Sequence, residues 1–169
     1  MTSRDSYVTT TDPHQTVSLH VPAFEELWFR QRMLEDDGTM SYNHAYGGTI
    51  PFPREKWAAW YERWIRNPEG RRFYRYLKNR NDEFVGECAW HYDEDRDIFL
   101  ADVLIYAPVR GKGYGSGGLE LLCSTARRSG IRELYDEIGA DNPAIRLFLA
   151  HGFTEVYRAD TYVMVKKDL

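Results

Sequence analysis

A chain of 169 residues that is 43% apolar and 15% aromatic is long enough to close one core and too apolar for disorder. Its 22 Lys and Arg against 26 Asp and Glu leave a formal charge of −4, which disfavours nucleic acid as a partner and mildly favours a cationic one. No apolar run reaches the ~18 residues of a membrane span, and Met1-Thr2-Ser3-Arg4-Asp5-Ser6 lacks the apolar segment of a secretory signal. A cytoplasmic protein with no membrane partner is therefore expected. Cys88 and Cys123 are too few and too far apart for a metal knuckle, and their thiols are expected to be reduced, with no metal bound.

Residues 1–15 are rich in Ser, Thr, Asp and Pro and read as a flexible tail, with a single domain over 16–169. Thr16 to Val21 forms a first strand. Pro22 opens a helical pattern in which Phe24, Leu27, Trp28 and Leu34 share a face, and Asp36-Asp37-Gly38 ends it. Residues 38–53 form a loop with Gly38, Gly47, Gly48, Pro51 and Pro53, long enough to suggest a role in recognition. Trp57, Trp60, Tyr61, Trp64 and Ile65 follow at helical spacing, and this stripe reads as core rather than a ligand cage.

Strands follow at Arg72 to Leu77, Phe84 to Tyr92 and Ile98 to Tyr106, the last nearly all apolar and so buried on both faces. Leu119, Leu122, Cys123 and Ala126 make the inner stripe of a helix that ends at Ser129-Gly130. A short strand over Glu133 to Gly139, a short helix over Asp141 to His151 and a closing hairpin complete the chain. The alternation implies an α/β (α+β) fold, a mixed sheet with helices on both faces.

Between the third of these strands and the long helix lies Ala107-Pro108-Val109-Arg110-Gly111-Lys112-Gly113-Tyr114-Gly115. Glycines let the backbone approach a ligand, and the free N–H groups and positive dipole end of a helix favour an anion. Arg110 and Lys112 add two cations. A Walker A loop fails here, because Gly111-Lys112 is followed by Gly113 instead of Ser or Thr. Gly113 to Gly118 satisfies G-x-G-x-x-G, but Pro108 and Arg110 intervene between Ile105 and Gly113. Too little chain follows, moreover, for a dinucleotide fold.

The third pattern, Arg-x-x-Gly-x-Gly at Arg110, Gly113 and Gly115, resembles the pyrophosphate loop of the GNAT superfamily of N-acetyltransferases. Asp141-Asn142-Pro143 opening a helix that ends at Gly152-Phe153 resembles the short C-terminal helix of the same family. The resemblance covers Phe84 onward well and the first half by layout. It implies acetyl-CoA as cosubstrate and direct attack of a primary amine, of a small molecule or a peptide, on the thioester. Cofactor contacts are implied for Val103, Leu104 and Ile105 on the central strand, for Arg110, Gly111, Lys112, Gly113, Tyr114 and Gly115 in the loop, and for Asn142. The acceptor site is walled by the loop between the first two helices, with Tyr42, Tyr46 and Phe52 as its aromatic candidates. A homodimer is an open assembly.

The catalytic groups are less defined. Phe148 stands where many relatives carry a tyrosine that protonates the leaving thiolate, so either another hydroxyl supplies the proton, with Tyr114 and Tyr106 the nearest in sequence, or the thiolate takes it from water. Two carboxylates are candidate bases. Asp102 interrupts an apolar strand, where burial raises a carboxylate's pKa, and Glu87 is in the middle of the preceding strand. A symmetric hairpin about Asp93 to Asp97 sets Glu87 opposite Val103 and Asp102 opposite Cys88, on different faces; a one-residue slip changes this. Alternatives are a coenzyme A-binding module without turnover and, from the G-x-G-x-x-G match, a fragment of a nucleotide-dependent oxidoreductase.

Overall fold

The structure is a computed structural model that describes residues 16–169, so the tail read over 1–15 lies outside the described residues. Seven strands, β1 (Ser18–His20), β2 (Arg72–Lys78), β3 (Phe84–Asp93), β4 (Ile98–Ile105), β5 (Glu133–Gly139), β6 (Thr154–Arg158) and β7 (Tyr162–Asp168), form one sheet in the order β1-β2-β3-β4-β5-β7-β6. Only β4 and β5 are parallel neighbours. The helices are α1 (Trp28–Glu35), α2 (Trp57–Tyr61), α3 (Tyr114–Arg128) and α4 (Ala144–Ala150).

Strand alternation sorts the core into two layers. Cys88, Trp90 and Ala101 pack with Leu119, Leu122 and Ala126 of α3 and Phe148 of α4. On the other side Tyr74, Tyr76 and Ala89 pack with Phe29 and Met33 of α1, and Leu27, Leu34, Phe52 and Trp57 close the adjoining cluster. The sheet thus has helices on both faces, as the element order implied.

Local departures have local causes. The pattern opened by Pro22 starts as a 3-10 turn at Phe24–Leu27, which rotates the face that follows; Phe29 and Met33 are buried and Trp28 is left 44% exposed. The tryptophan helix becomes a π-type turn over Glu62–Arg66, so that Trp64 still reaches Tyr74 and stacks with Trp60. The β3–β4 register is one residue off the symmetric hairpin: Asp93 pairs with Ile98, Glu87 with Leu104, Cys88 with Val103 and Ala89 with Asp102. The Asp93 carboxylate accepts from the N–H groups of Asp95 and Arg96, and Asp97 takes a left-handed φ of 53°, which sets the turn between Asp93 and Ile98. Glu87 and Asp102 are therefore on one face, not two.

β4 and β5 pair only at Phe99↔Leu134 and Leu100↔Tyr135, near their starts. Beyond these residues the strands part, and the gap between their C-terminal halves opens toward the glycine turn.

Candidate functional site

A cleft of about 450 Å³ occupies the gap. Its floor is β4 at Val103, Leu104 and Ile105; one end is the glycine turn at Arg110, Gly111, Gly113, Tyr114 and Gly115. The loop after α1 contributes Tyr42, Asn43 and Tyr46, and Asn142 closes the side toward α4. A second cavity of about 480 Å³ adjoins it on the α1/α2 face. Arg30, Asn43, Tyr46, Glu87, Asp102 and Asp136 line both.

The turn has the properties an anion cradle needs. Gly111 and Gly113 take φ of 79° and 83°, and a Cβ built on either meets no atom within 4 Å, so the space beside the backbone is open. Among the described residues, the N–H groups of Gly111, Lys112 and Gly113 donate no hydrogen bond within the protein. They precede the fifteen-residue α3, whose first-turn N–H groups and dipole add to the field. These features fit a pyrophosphate. Arg110 differs from expectation: its guanidinium donates to the carbonyls of Ile105 at 3.0 Å and Thr39 at 2.7 Å, so it braces the loop after α1 against the end of β4 instead of presenting free donors. Lys112 is exposed on the rim and is not part of the cleft lining.

Asn142 accepts from the N–H of Ala144 at 2.9 Å and so caps α4 while facing the cleft. Tyr46 crosses to β5, donating from its hydroxyl to Glu137 at 2.8 Å, and His44 is paired with Asp141 at 2.7 Å. The loop after α1 thus forms one wall. Phe52 does not belong to it. It is 5% exposed, stacks on Trp57 and lies outside both cavities, because the Pro51–Pro53 stretch turns its ring into the core below α2.

On the carboxylates the structure is specific. Glu87 is 2% exposed and accepts from Arg30 Nη1 at 2.6 and 2.7 Å and from the Tyr74 hydroxyl. Arg30 lies over Trp60, with its guanidinium carbon 4.7 Å from the ring, and near Tyr74 and Phe52. The attraction of Glu87 outweighs burial and raises the guanidinium pKa, so Arg30 stays charged. With its oxygens committed in this way, Glu87 is poorly placed as a base. Asp102 is open to the water of the cleft yet has protein around it. This enclosure, with Glu87 adding and Arg30 opposing, lifts its carboxyl to about 6. No salt bridge or side-chain hydrogen bond holds it among the described residues.

Asp136 was not singled out from the sequence. It stands on β5 across the gap, and desolvation, then the negative charge of Asp102, push its carboxyl well above the usual range. Its signal was present: a carboxylate inside a short strand, alternating with the buried Leu134 and Ile138.

The candidate acids fare differently. Tyr114 lines the cleft, and its hydroxyl accepts from Asn79 Nδ2 at 3.4 Å at the β2–β3 turn. Tyr106 packs against Phe29 and does not line the cleft. Phe148 lines it but is 2% exposed and packed on Phe153. His151 bonds Ser116 at 2.7 Å and ties the end of α4 to the first turn of α3. His91 is in β3 beside Trp64, with its pKa lowered by burial. Among the described residues no group of three or more His, Cys, Asp and Glu could hold a metal, and no helix is long and apolar enough to cross a membrane.

Comparison with known proteins supports this architecture. The family model described as Acetyltransferase (GNAT) family matches residues 19–153. An uncharacterized N-acetyltransferase, YycN, of Bacillus subtilis (strain 168) is 35% identical over 83 residues, covering 47% of this chain and 53% of the relative; the match thus spans about half of that protein's length. An N-acetyltransferase from Staphylococcus aureus Mu50 superposes with a TM-score of 0.74 at 20% identity, over 90% of this chain and 98% of the other. A phosphinothricin acetyltransferase from Sinorhizobium meliloti, solved in complex with AcCoA, gives 0.73 at 17% identity, over 91% and 89%. At such identities the structures speak for the fold, and the family model speaks for descent: the chain belongs to the acetyltransferase (GNAT) family.

Proposed function

We propose that this protein transfers the acetyl group of acetyl-CoA to a primary amine of a small molecule or peptide in the cytoplasm, by direct attack without an acyl-enzyme. The observation that carries the reading is the parted β4–β5 gap, with an open glycine cradle at one end and an unpaired carboxylate of raised pKa at the other. The cradle suits the pyrophosphate, and the unpaired edge of β4 at Val103 to Ile105 suits an amide-bearing arm extended beside it. The thioester, held there, supplies an activated acyl carbon.

The second cavity, on the α1/α2 face and walled by Trp60, Trp64 and Tyr74, is the acceptor's side. Asp102 belongs to both cavities, so it faces the point where an amine and an acyl carbon meet. A lysine-like amine has a pKa near ~10.4, so it attacks from its minor neutral form, and its nitrogen becomes acidic and gives up a proton as the N–C bond forms. A carboxylate with a pKa of about 6 is ionised at neutral pH and close enough to it to accept one.

Thiol release against a panel of amines tests the reading, with titration of acetyl-CoA and NADH by calorimetry. Acetyl-CoA binding and amine-dependent thiol release are expected, with no NADH binding. Binding without release from any amine would favour the second reading, a coenzyme A-binding module, for which Phe148 in place of a proton donor is the one favouring observation.

A further inference from the structure

We propose that Asp136 is a catalytic residue: with Asp102 across the strand gap it forms a carboxylate pair holding one proton, in which Asp102 is the base and Asp136 the acid. The proposal rests on the acetyl-transfer reading above.

Asp102 belongs, with Glu87 and Leu104, to the face of the sheet that carries α1, the acceptor loop and the second cavity. Asp136 alternates with Leu134 and Ile138, which pack under α3 and α4 with Phe148. The strands have parted where the two aspartates stand, so one carboxylate enters the gap from the acceptor side and the other from the Phe148 side. Neither has a cationic partner or a side-chain hydrogen bond among the described residues.

The other carboxylates that line the cleft are paired. Glu87 is held by Arg30 and Tyr74, and Glu137 by Arg96 at 2.6 Å and by Tyr46. Both carboxylates line one cleft, and burial and then the charge of Asp102 disfavour ionisation of Asp136, so the pair retains one proton and titrates in two steps. The proton resides on Asp136, the more enclosed and more strongly shifted of the two, and Asp102 stays ionised.

The chemistry needs such a pair. The lone pair of the neutral amine forms the N–C bond at the acyl carbon, and the carbonyl pair moves to oxygen. As that pair returns, the C–S bond breaks and its electrons leave on sulfur. Asp102 takes the N–H proton, Asp136 gives its proton to sulfur, and amide and thiol leave neutral. The pair still holds one proton, now on Asp102, and its return to Asp136 restores the starting state. A thiol has a pKa near ~8.5, so a carboxyl raised toward neutrality is a better matched donor than an ordinary aspartate. The phenyl ring of Phe148 has no proton to give.

Carbon-13 aspartate NMR on the wild-type protein reads the shared proton without turnover. One protonated aspartyl carboxyl is expected at pH 7, absent in Asp136→Asn; two ionised carboxylates in the wild type would overturn the proposal, whether or not the variant folds. Steady-state thiol release across pH reads the role. Asp136→Asn is expected to lower kcat about 100-fold, to leave the acetyl-CoA KM nearly unchanged and to remove the alkaline limb of kcat. An active wild type with an unaffected Asp136→Asn variant would overturn Asp136 as the acid and leave the transferase reading standing. A wild type that releases no thiol with any amine would overturn that reading and the catalytic roles together.

Discussion

Glu87 and Asp102 share one face of the β3–β4 hairpin, because Ala89, two residues beyond Glu87, is the cross-strand partner of Asp102. One carboxylate is locked by Arg30 and Tyr74 and the other is free in the cleft. Similar residues on neighbouring strands thus take different roles, set by what each one touches.

Asp102 should govern the acidic limb of catalysis. Its carboxyl sits at about 6, and only the ionised form accepts a proton. The expected kcat/KM profile falls as pH drops through 6. Asp102→Asn removes that limb and lowers kcat ~10²–10⁴-fold while acetyl-CoA affinity, measured by calorimetry, stays nearly constant.

The same residue should cost stability at neutral pH. The folded carboxyl lies above the ~3.9 of an unfolded chain, so the fold prefers the protonated form. The stability it contributes is full below about 4 and is lost as pH rises through 6. Asp102 is solvent-exposed, which screens the effect, so Asp102→Asn should raise the Tm slightly at pH 8 and leave it unchanged at pH 4, as followed by circular dichroism.

Arg30→Met tests the buried ion pair. It leaves Glu87 with Tyr74 as its remaining side-chain partner and should destabilise the protein by ~3–5 kcal/mol in urea unfolding. A double change, Arg30→Met with Glu87→Gln, should recover much of the loss, since the cost lies mainly in the stranded charge.

Gly113→Val tests the cradle. The residue sits at φ 83°, which a β-branched side chain adopts at a cost of ~1–2 kcal/mol, and the added methyls enter open space beside the turn. The folded variant should bind acetyl-CoA and coenzyme A at least ~10-fold more weakly by calorimetry. Normal binding by a folded variant would remove the pyrophosphate from this turn.

Most of the fold was legible because periodicity reports burial directly. β5 was read at Glu133–Gly139, where the structure has it, and the inner stripe of α3 lies buried as its spacing required. The site was less legible because it depends on groups that meet through tertiary contacts. The β3–β4 register followed the Asp93 side chain, and a count of loop residues could not supply that. Phe52 looked like a loop aromatic and is core, since Trp57 offers it a partner. Nothing beside Arg30 in the sequence, between Phe29 and Gln31, marks it as a buried cation; the placement of Glu87 beneath α1 makes it one. Asp136 carried the same mark as Asp102, a carboxylate among apolar strand residues, but no motif drew attention to it.

The parting of β4 and β5 also divides the molecule mechanically. In the strand ladder just two residue pairs connect the four-stranded half, β1 to β4, with the three-stranded half, β5 to β7, so the sheet has a seam inside it. Along that seam each half has an edge without a neighbouring strand, an arrangement that proteins ordinarily cover or blunt. An occupant lodged in the seam supplies the missing neighbour to both halves at once. Capture of ligand then doubles as closure of the architecture, and resistance to unfolding should climb with ligand concentration as RT ln(1 + [L]/Kd).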